Sequence, residues 1–240
     1  MLDLDWNFGA TAGARPAFAD IQPERIVAKV KEDPYRYLLL LRLAGYNLAG
    51  LMLLAGAFLE GWVGMVLEAD SSGLVLVIAA IFAVGMVVTA HRAIAYSNEL
   101  NAVRANHPTR GSKTAAFLDQ TRHTAPEQQH SLESALRIRT VGEIAQIRHL
   151  AGSLVLLGLI GTILGFIMAL GAVDPQKAGD VAAVAPMISG LIEGLGVALY
   201  TTLVGAVLNI WLMMNFRIVE GAASRWIARL TERSASHAWS

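Results

Sequence analysis

The chain of 240 residues is rich in apolar residues: 55% are hydrophobic, only 16% are charged, and the mean hydropathy is +0.49. This composition excludes an ordinary soluble domain, in which about 25% of residues are charged. The absence of cysteine excludes disulfides, thiolate metal sites and thiol nucleophiles. The formal net charge is zero, and the sequence gives no indication of nucleic-acid binding.

Four segments of the chain are long and apolar enough to cross a membrane. A helix needs roughly 20 apolar residues to cross the hydrocarbon core. The four segments are residues 37–59, 73–90, 154–173 and 187–215. The sequence therefore predicts an all-α membrane protein with four transmembrane helices. Residues 1–36 hold six acidic residues and no apolar run, so we expect no cleaved signal peptide and a cytoplasmic N-terminus.

The distribution of basic residues predicts how the four spans are oriented. Lys and Arg collect on the cytoplasmic flanks of membrane helices. With the N-terminus inside, every Lys and Arg outside the spans is cytoplasmic except Lys177. The outer connections hold acidic residues instead, namely Glu60, Glu68, Asp70, Asp174 and Asp180. Both termini are therefore expected in the cytoplasm.

This topology divides the chain into five regions without separate folding domains. They are a cytoplasmic N-terminal segment (1–36), the first two spans (37–90), a cytoplasmic helical loop (91–149), the last two spans (150–216) and a cytoplasmic C-terminal tail (217–240).

On the cytoplasmic side, the spans are expected to continue as long helices. The second span is predicted to run on to Leu100. In the loop, Ser112 is a candidate N-cap for a short helix that ends at Gln120. No proline interrupts residues 127–173, so one helix of roughly 45 residues is expected to join the loop to the third span. The fourth span is expected to continue inward to Arg229.

Three polar side chains within the predicted spans need an explanation. Arg42 lies near the cytoplasmic end of the first span, where a long side chain can reach the headgroups, so we expect it to anchor the helix. Asn47 is expected to hydrogen-bond to another helix. Glu193 lies about two turns into the fourth span from the outer side. It reaches an aqueous outer vestibule, pairs with another group or simply marks the helix end, and the sequence leaves these alternatives open.

The last two spans each carry a face of small residues that also holds a hydroxyl. In the third span, Gly158, Thr162, Gly165 and Ala169 recur at steps of three and four residues, which places them on one side of a helix. The corresponding face of the fourth span consists of Gly194, Ala198, Thr202, Gly205 and Asn209. Such faces either pack two helices closely together or line a polar path.

Residue patterns typical of enzymes and cofactor sites are weak in this sequence. The six histidines lack the spacing of metal ligands. Gly158 and Gly161 lie within an apolar span and are not followed by a phosphate-loop lysine. We therefore expect no metal site, no cofactor and no enzymatic activity.

Two motifs in the last two spans resemble those of a known family. Residues 158–165 read GLIGTILG and residues 197–206 read VALYTTLVGA. Their content, order and spacing are similar to the signature of the MotA/TolQ/ExbB family of ion-channel subunits. Asp174-Pro175 is similar to the MotA branch, and residues 184–188 (VAPMI) to TolQ and ExbB.

The resemblance implies a proton or sodium channel subunit of an ion-driven motor in the bacterial inner membrane. In this family, five copies of the channel chain surround two helices of a second protein, whose single span carries an aspartate. The resemblance therefore implies a homopentamer that binds a dimer of a MotB-, TolR- or ExbD-like protein. Ion flow past the partner aspartate would drive rotation and mechanical work in the cell envelope. The sequence leaves open whether the ion is H⁺ or Na⁺ and which process is driven.

The resemblance also implies roles for individual residues. Thr162 and Thr202 match the family threonines of the two pore helices, and Thr201 matches an extra hydroxyl of some sodium-type members. Hydroxyls both donate and accept hydrogen bonds, so we expect these three to hold water beside the partner carboxylate or to replace part of a sodium hydration shell. The small residues expected to pack against the partner helices are Gly158, Gly161, Gly165, Ala198 and Gly205.

Some features depart from the family pattern. Where ExbB and TolQ place a glutamate one turn before the threonine, this chain has Val197, and Glu193 lies a turn further away. The cytoplasmic loop is short for a flagellar MotA, so we expect another envelope process to be driven. Two other classes of function stay open at this point: a non-conducting membrane scaffold, and a small self-contained transporter with Glu193 as its carrier.

Overall fold

The computed structural model describes residues 38–104, 111–122, 126–177 and 179–238. The predicted N-terminal segment, 1–36, lies outside the described residues. Within these ranges the chain forms six α-helices and one short 3-10 helix, Pro175–Lys177. The α-helices are α1 (Leu38–Leu59), α2 (Trp62–Ala69), α3 (Leu74–Arg104), α4 (Lys113–Arg122), α5 (Pro126–Gly171) and α6 (Val181–Ala238).

Four of these helices, α1, α3, α5 and α6, are long and apolar enough to cross a membrane. This result confirms the four predicted spans and the all-α class. The short helix α2 has no counterpart in the sequence prediction. It follows Gly61, whose φ of 79° is left-handed and therefore favours glycine.

The two longest helices follow the sequence expectation closely. Helix α5 has 46 residues, because no proline or turn interrupts it between the loop and the outer end of the third span. Helix α6 has 58 residues and begins at Val181, six residues before the predicted span. The end of each helix that the charge pattern predicts to be cytoplasmic is called its inner end.

Helices α5 and α6 run antiparallel and pack against each other along their lengths, while α3 packs against both. The main hydrophobic core lies toward the inner end, where α3, α4, α5 and α6 meet. Trp226 and Leu230 of α6 and Ile147 of α5 have no exposed surface there. The indole N–H of Trp226 donates a hydrogen bond of 3.0 Å to the hydroxyl of Thr114 in α4. This bond ties the short helix to the core.

The N-terminus of α4 is capped from two directions. The carboxylate of Glu99 in α3 accepts hydrogen bonds from the backbone N–H groups of Lys113 (2.8 Å) and Thr114 (3.0 Å). The hydroxyl oxygen of Ser112 accepts one from the backbone N–H of Ala115 (3.0 Å). Ser112 is therefore the N-cap, as the sequence predicted, and the free N–H groups of the first turn are satisfied.

A cluster of charges around Glu143 of α5 joins three helices. Its carboxylate accepts from Arg92 of α3 (2.9 Å) and from Lys113 of α4 (2.7 Å), and Arg139 lies 3.8 Å away. Burial alone would raise the pKa of Glu143, but the hydrogen bond from Lys113 and the three cations outweigh it and lower the pKa. Burial and the adjacent Glu143 charge raise the pKa of Tyr96 to about 12.

Helix α1 is held by a polar cluster within the predicted spans. The amide nitrogen of Asn47 in α1 donates to the side-chain oxygen of Asn215 in α6 (2.8 Å), and the Asn215 amide donates back (3.2 Å). The indole N–H of Trp211 donates to the Asn47 oxygen (3.0 Å). Gly50 leaves room for the Trp211 ring beside α1. This cluster confirms Asn47 as an interhelical hydrogen-bonding residue.

Candidate functional site

The small-residue faces of α5 and α6 face each other within the chain. A Cβ atom added to Gly205 would lie 2.6 Å from the carbonyl oxygen of Leu154, and one added to Gly165 would lie 2.5 Å from the carbonyl oxygen of Gly194. Both distances are shorter than Cβ atoms tolerate. The glycines therefore let the two backbones approach, as small residues do between membrane helices.

This contact accounts for the five small residues that the resemblance assigns to partner helices. Gly158, Gly161, Gly165, Ala198 and Gly205 all lie between α5 and α6 of the same chain. In the structure these residues therefore form a packing face between two helices, which is one of the two alternatives that the sequence left open. A contact between them and a partner helix stays a prediction.

Two of the three predicted threonines lie at the edge of this contact, at one level of the molecule. The hydroxyl of Thr202 in α6 donates to the backbone carbonyl of Gly158 in α5 (3.0 Å). The hydroxyl of Thr162 donates to the next carbonyl of α5, that of Leu159 (2.6 Å). Thr202 is exposed and Thr162 is partly exposed. We call the side of the α5–α6 pair that carries these two residues the threonine surface.

The threonine surface lies on the side of the α5–α6 pair that faces away from α3. Leu157 of α5 and Val204 of α6 pack against the buried core that α3 shares. At about 100° per residue, Leu157 points about 140° away from Thr162, and Val204 about 200° away from Thr202. Within the described part of the chain, the threonine surface is therefore the side of the pair that no other helix covers.

The hydrogen bonds of the threonine surface fix what its hydroxyls offer to a ligand. A hydroxyl has one hydrogen to donate and two lone pairs, and a carbonyl oxygen only accepts. Thr162 and Thr202 each donate their hydrogen to a backbone carbonyl. The hydrogen that each hydroxyl can donate is therefore used within the chain, and the expected contact with water or an ion stays a prediction. The two hydroxyls present acceptor oxygens only, which suit a cation, water or a protonated carboxyl group.

The third predicted threonine lies elsewhere. Thr201 has no exposed surface, contacts Gly161 of α5, and donates its hydroxyl hydrogen to the carbonyl of Val197 in its own helix (2.8 Å). One residue along a helix changes the direction of a side chain by about 100°, so Thr201 and Thr202 cannot both lie at the free edge. The structure does not bring Thr201 to the threonine surface.

Glu193 is also separated from the threonines. It is exposed near the outer end of α6 and makes no hydrogen bond or ion pair within the described part of the chain. Nine residues separate Glu193 from Thr202, which places the two side chains about 180° apart around the helix. Its role in an outer vestibule stays a prediction and concerns a different side of α6.

Residues 100–232 match the model of the MotA/TolQ/ExbB proton channel family. The matched range covers more than half of the 240-residue chain. The chain belongs to the MotA/TolQ/ExbB family. Comparisons with curated proteins and with solved structures found no match. The recognition made from the two glycine motifs is confirmed, and membership of this family indicates a proton-channel-type membrane subunit.

The MotA/TolQ/ExbB match includes the whole threonine surface and Glu193. Among the described residues, no group of three or more His, Asp or Glu side chains could hold a metal ion. Sequence reasoning missed the cluster around Glu143, because Arg92, Lys113 and Glu143 come from three helices that are far apart along the chain. The spacing of small residues identified the faces of α5 and α6 that contact each other, although the family resemblance assigned them to partner helices. It could not separate the buried side of that contact from its free edge.

Proposed function

We propose that this chain is the channel subunit of an ion-driven motor in the bacterial inner membrane. Protons or sodium ions pass the threonine surface on their way into the cell and load and unload an aspartate on a partner helix. Each charge that crosses the membrane supplies about 2.3 kcal/mol per 100 mV of membrane potential. In this proposal that free energy drives rotation and mechanical work in the cell envelope.

The observation that carries the proposal is the position of Thr162 and Thr202. Both side chains lie at one level of a surface within the predicted spans, where each hydroxyl oxygen keeps lone pairs that a group of another molecule can reach. Their acceptor oxygens match the needs of a cation or of a protonated carboxyl group. Family membership supports the same assignment.

Among the described residues, no titratable carrier lies on this surface. Glu193 is the acidic residue of the fourth span, and it lies on another side of α6. In this proposal the proton carrier beside the threonines comes from a second protein. This supports a partner with a transmembrane aspartate, and it weakens the alternative of a self-contained transporter.

The proposed assembly is a homopentamer around a dimer of a single-span partner of the MotB, TolR or ExbD type. The threonine surfaces of the five copies face the two partner helices, and all termini of the channel chain lie in the cytoplasm. Five copies around two partner helices cannot fit in one equivalent arrangement. The mismatch favours rotation over a single static complex.

The proposal is tested with the chain and a candidate partner, a single-span membrane protein that carries an aspartate in its span. The two are coexpressed, the mass of the complex is measured in detergent, and ion flux is measured after reconstitution into vesicles. We expect five copies with two partner chains, and flux that is lost when the partner aspartate is replaced by asparagine. A monomer or dimer that transports ions without a second protein would reject the proposal in favour of the transporter. A complete complex without flux would favour the scaffold.

A further inference from the structure

Asn209 of α6 is a polar side chain within an apolar span that the described part of the chain leaves without a hydrogen bond. It is partly exposed. The two other asparagines described in the spans, Asn47 and Asn215, bond to each other across α1 and α6. An amide group in hydrocarbon without a partner costs several kcal/mol. We therefore expect Asn209 to contact water or another group beyond the described residues.

Asn209 lies on the same side of α6 as Thr202. It follows Thr202 by seven residues, which turns the side chain by only about 20° and moves it about 10 Å toward the inner end. Trp211, two residues later, points about 200° away and contacts α1. Asn209 is therefore part of the threonine surface and not of the asparagine cluster that holds α1.

Helix α5 leaves space on this side of the pair. Val155 precedes Thr162 by seven residues and so lies only about 20° from it around the helix, which continues the threonine surface toward the inner end. Gly152 lies three residues further inward, beside this surface. Gly152 is exposed, and a Cβ atom placed on it would meet no other atom within 4 Å. The inner part of the surface thus has an unpaired amide on α6 and open space beside α5.

The chemistry of Asn209 complements that of the threonines. Thr162 and Thr202 offer acceptor oxygens only, because their hydrogens are bonded to α5 carbonyls. An asparagine amide offers two N–H donors and one acceptor oxygen. A chain of water molecules that carries a proton needs both donors and acceptors, and a hydrated sodium ion needs acceptors for itself and its waters. Asn209 can supply both kinds of contact.

We propose that Asn209 lines the inner half of the ion pathway, where it binds the water that connects the threonine level to the cytoplasm. This inference rests on the proposed function, since it takes the threonine surface to be the pathway. It adds a third polar contact about 10 Å inward of the threonines and makes Asn209 a residue that determines the rate and ion preference of release.

The test uses the reconstituted complex of the chain with its partner. Proton flux is measured with a pH-sensitive dye under a fixed diffusion potential, with sodium present or absent. Asn209→Leu keeps the approximate volume and removes all hydrogen bonds. We expect flux to fall roughly fivefold, the loss of about one hydrogen bond to water, while the mass and the thermal unfolding midpoint of the complex stay unchanged.

Two further variants, Asn209→Asp and Asn215→Leu, are measured in the same way. The aspartate places a titratable group in the pathway, so flux should acquire a new dependence on pH, which a purely structural residue would not cause. Asn215→Leu is the matched control, because it breaks a paired asparagine cluster and should lower the unfolding midpoint.

Two results would overturn the inference while leaving the proposed function intact. One is wild-type flux in Asn209→Leu while Thr202→Val is impaired. The other is a loss of pentamer or partner from Asn209→Leu, which would assign the amide to a contact between chains. Wild-type flux in Thr202→Val would instead reject the proposed function itself.

Discussion

The hydroxyl of Thr202 donates a hydrogen bond to the backbone carbonyl of Gly158, 3.0 Å away on the neighbouring helix. The bond joins the two glycine motifs through one side chain. It exists because Gly158 and Gly205 let α5 and α6 approach each other closely. The same contact that holds the helices together therefore also fixes the direction of the exposed oxygen on the threonine surface.

The first prediction concerns this hydroxyl. Thr202→Val keeps the volume of the side chain but removes the oxygen, so ion flux through the complex should fall steeply. The lost interhelical bond should lower stability by only about 0.6 kcal/mol, the average for such bonds in membranes. Thr202→Ser retains both the oxygen and the interhelical hydrogen bond and should keep most of the flux.

Thr89 offers a matched control for this experiment. It lies in α3, where its hydroxyl donates to the carbonyl of Gly85 in its own helix (2.7 Å) and is buried. Thr89→Val removes a hydroxyl away from the threonine surface and should leave flux unchanged. Equal losses in Thr202→Val and Thr89→Val would mean that flux responds to general damage rather than to the pathway.

A second prediction concerns the contact between α5 and α6. Gly205→Ala places a methyl group 2.6 Å from the Leu154 carbonyl oxygen, and backbone cannot move aside as a flexible side chain can. We expect a loss of about 1–3 kcal/mol in unfolding free energy, typical of overpacking, measured as reversible unfolding in mixed detergent. Gly56→Ala is the control, since a Cβ there would meet no atom within 4 Å.

A third prediction concerns the attachment of α1. Asn215→Leu takes one hydrogen-bond partner each from the amide nitrogen and the side-chain oxygen of Asn47, in an apolar setting. The loss should be about 1–3 kcal/mol, the usual effect of an unsatisfied buried group. The double variant Asn47→Leu with Asn215→Leu should lose less than the sum of the single variants. Strictly additive losses would contradict a shared hydrogen-bonded cluster.

A fourth prediction gives the pH dependence of the inner end. The pKa of Glu143 is lower in the folded chain than its ordinary value of 4.5, because Lys113 and Arg92 favour the charged form despite burial. Glu143 therefore stabilises the fold fully above pH 4.5, and this contribution is lost as the pH falls below that value through the folded pKa.

Unfolding measured between pH 7 and the acid range checks this dependence. The wild-type chain should lose more stability on acidification than Glu143→Gln, which has no carboxylate to protonate. Glu133→Gln is a suitable control, because Glu133 makes no ion pair within the described residues. An identical acid response in wild type and Glu143→Gln would show that other groups cause it.

Several features of this protein follow from the sequence alone. The apolar runs predict the four spans, because hydrocarbon demands about 20 apolar residues of helix. The absence of proline between residues 127 and 173 predicts the 46-residue helix α5. The spacing of glycine and threonine predicts which sides of α5 and α6 carry the small residues and the hydroxyls, since helical geometry fixes the direction of each side chain from its position. The glycine motifs also identify the family.

The tertiary structure decides which of these side chains are buried, which are exposed and which contact each other. Thr201 and Thr202 are identical neighbours in the sequence, yet one is fully buried against Gly161 and the other is exposed. Which of the two threonines reaches the free edge depends on how α6 is rotated about its own axis relative to α5. The residue pattern of α6 alone does not specify that rotation. Which oxygens still have a hydrogen to donate depends likewise on the carbonyls of the facing helix. Asn47 and Asn215 are distant along the chain, and only folding brings their amides to 2.8 Å.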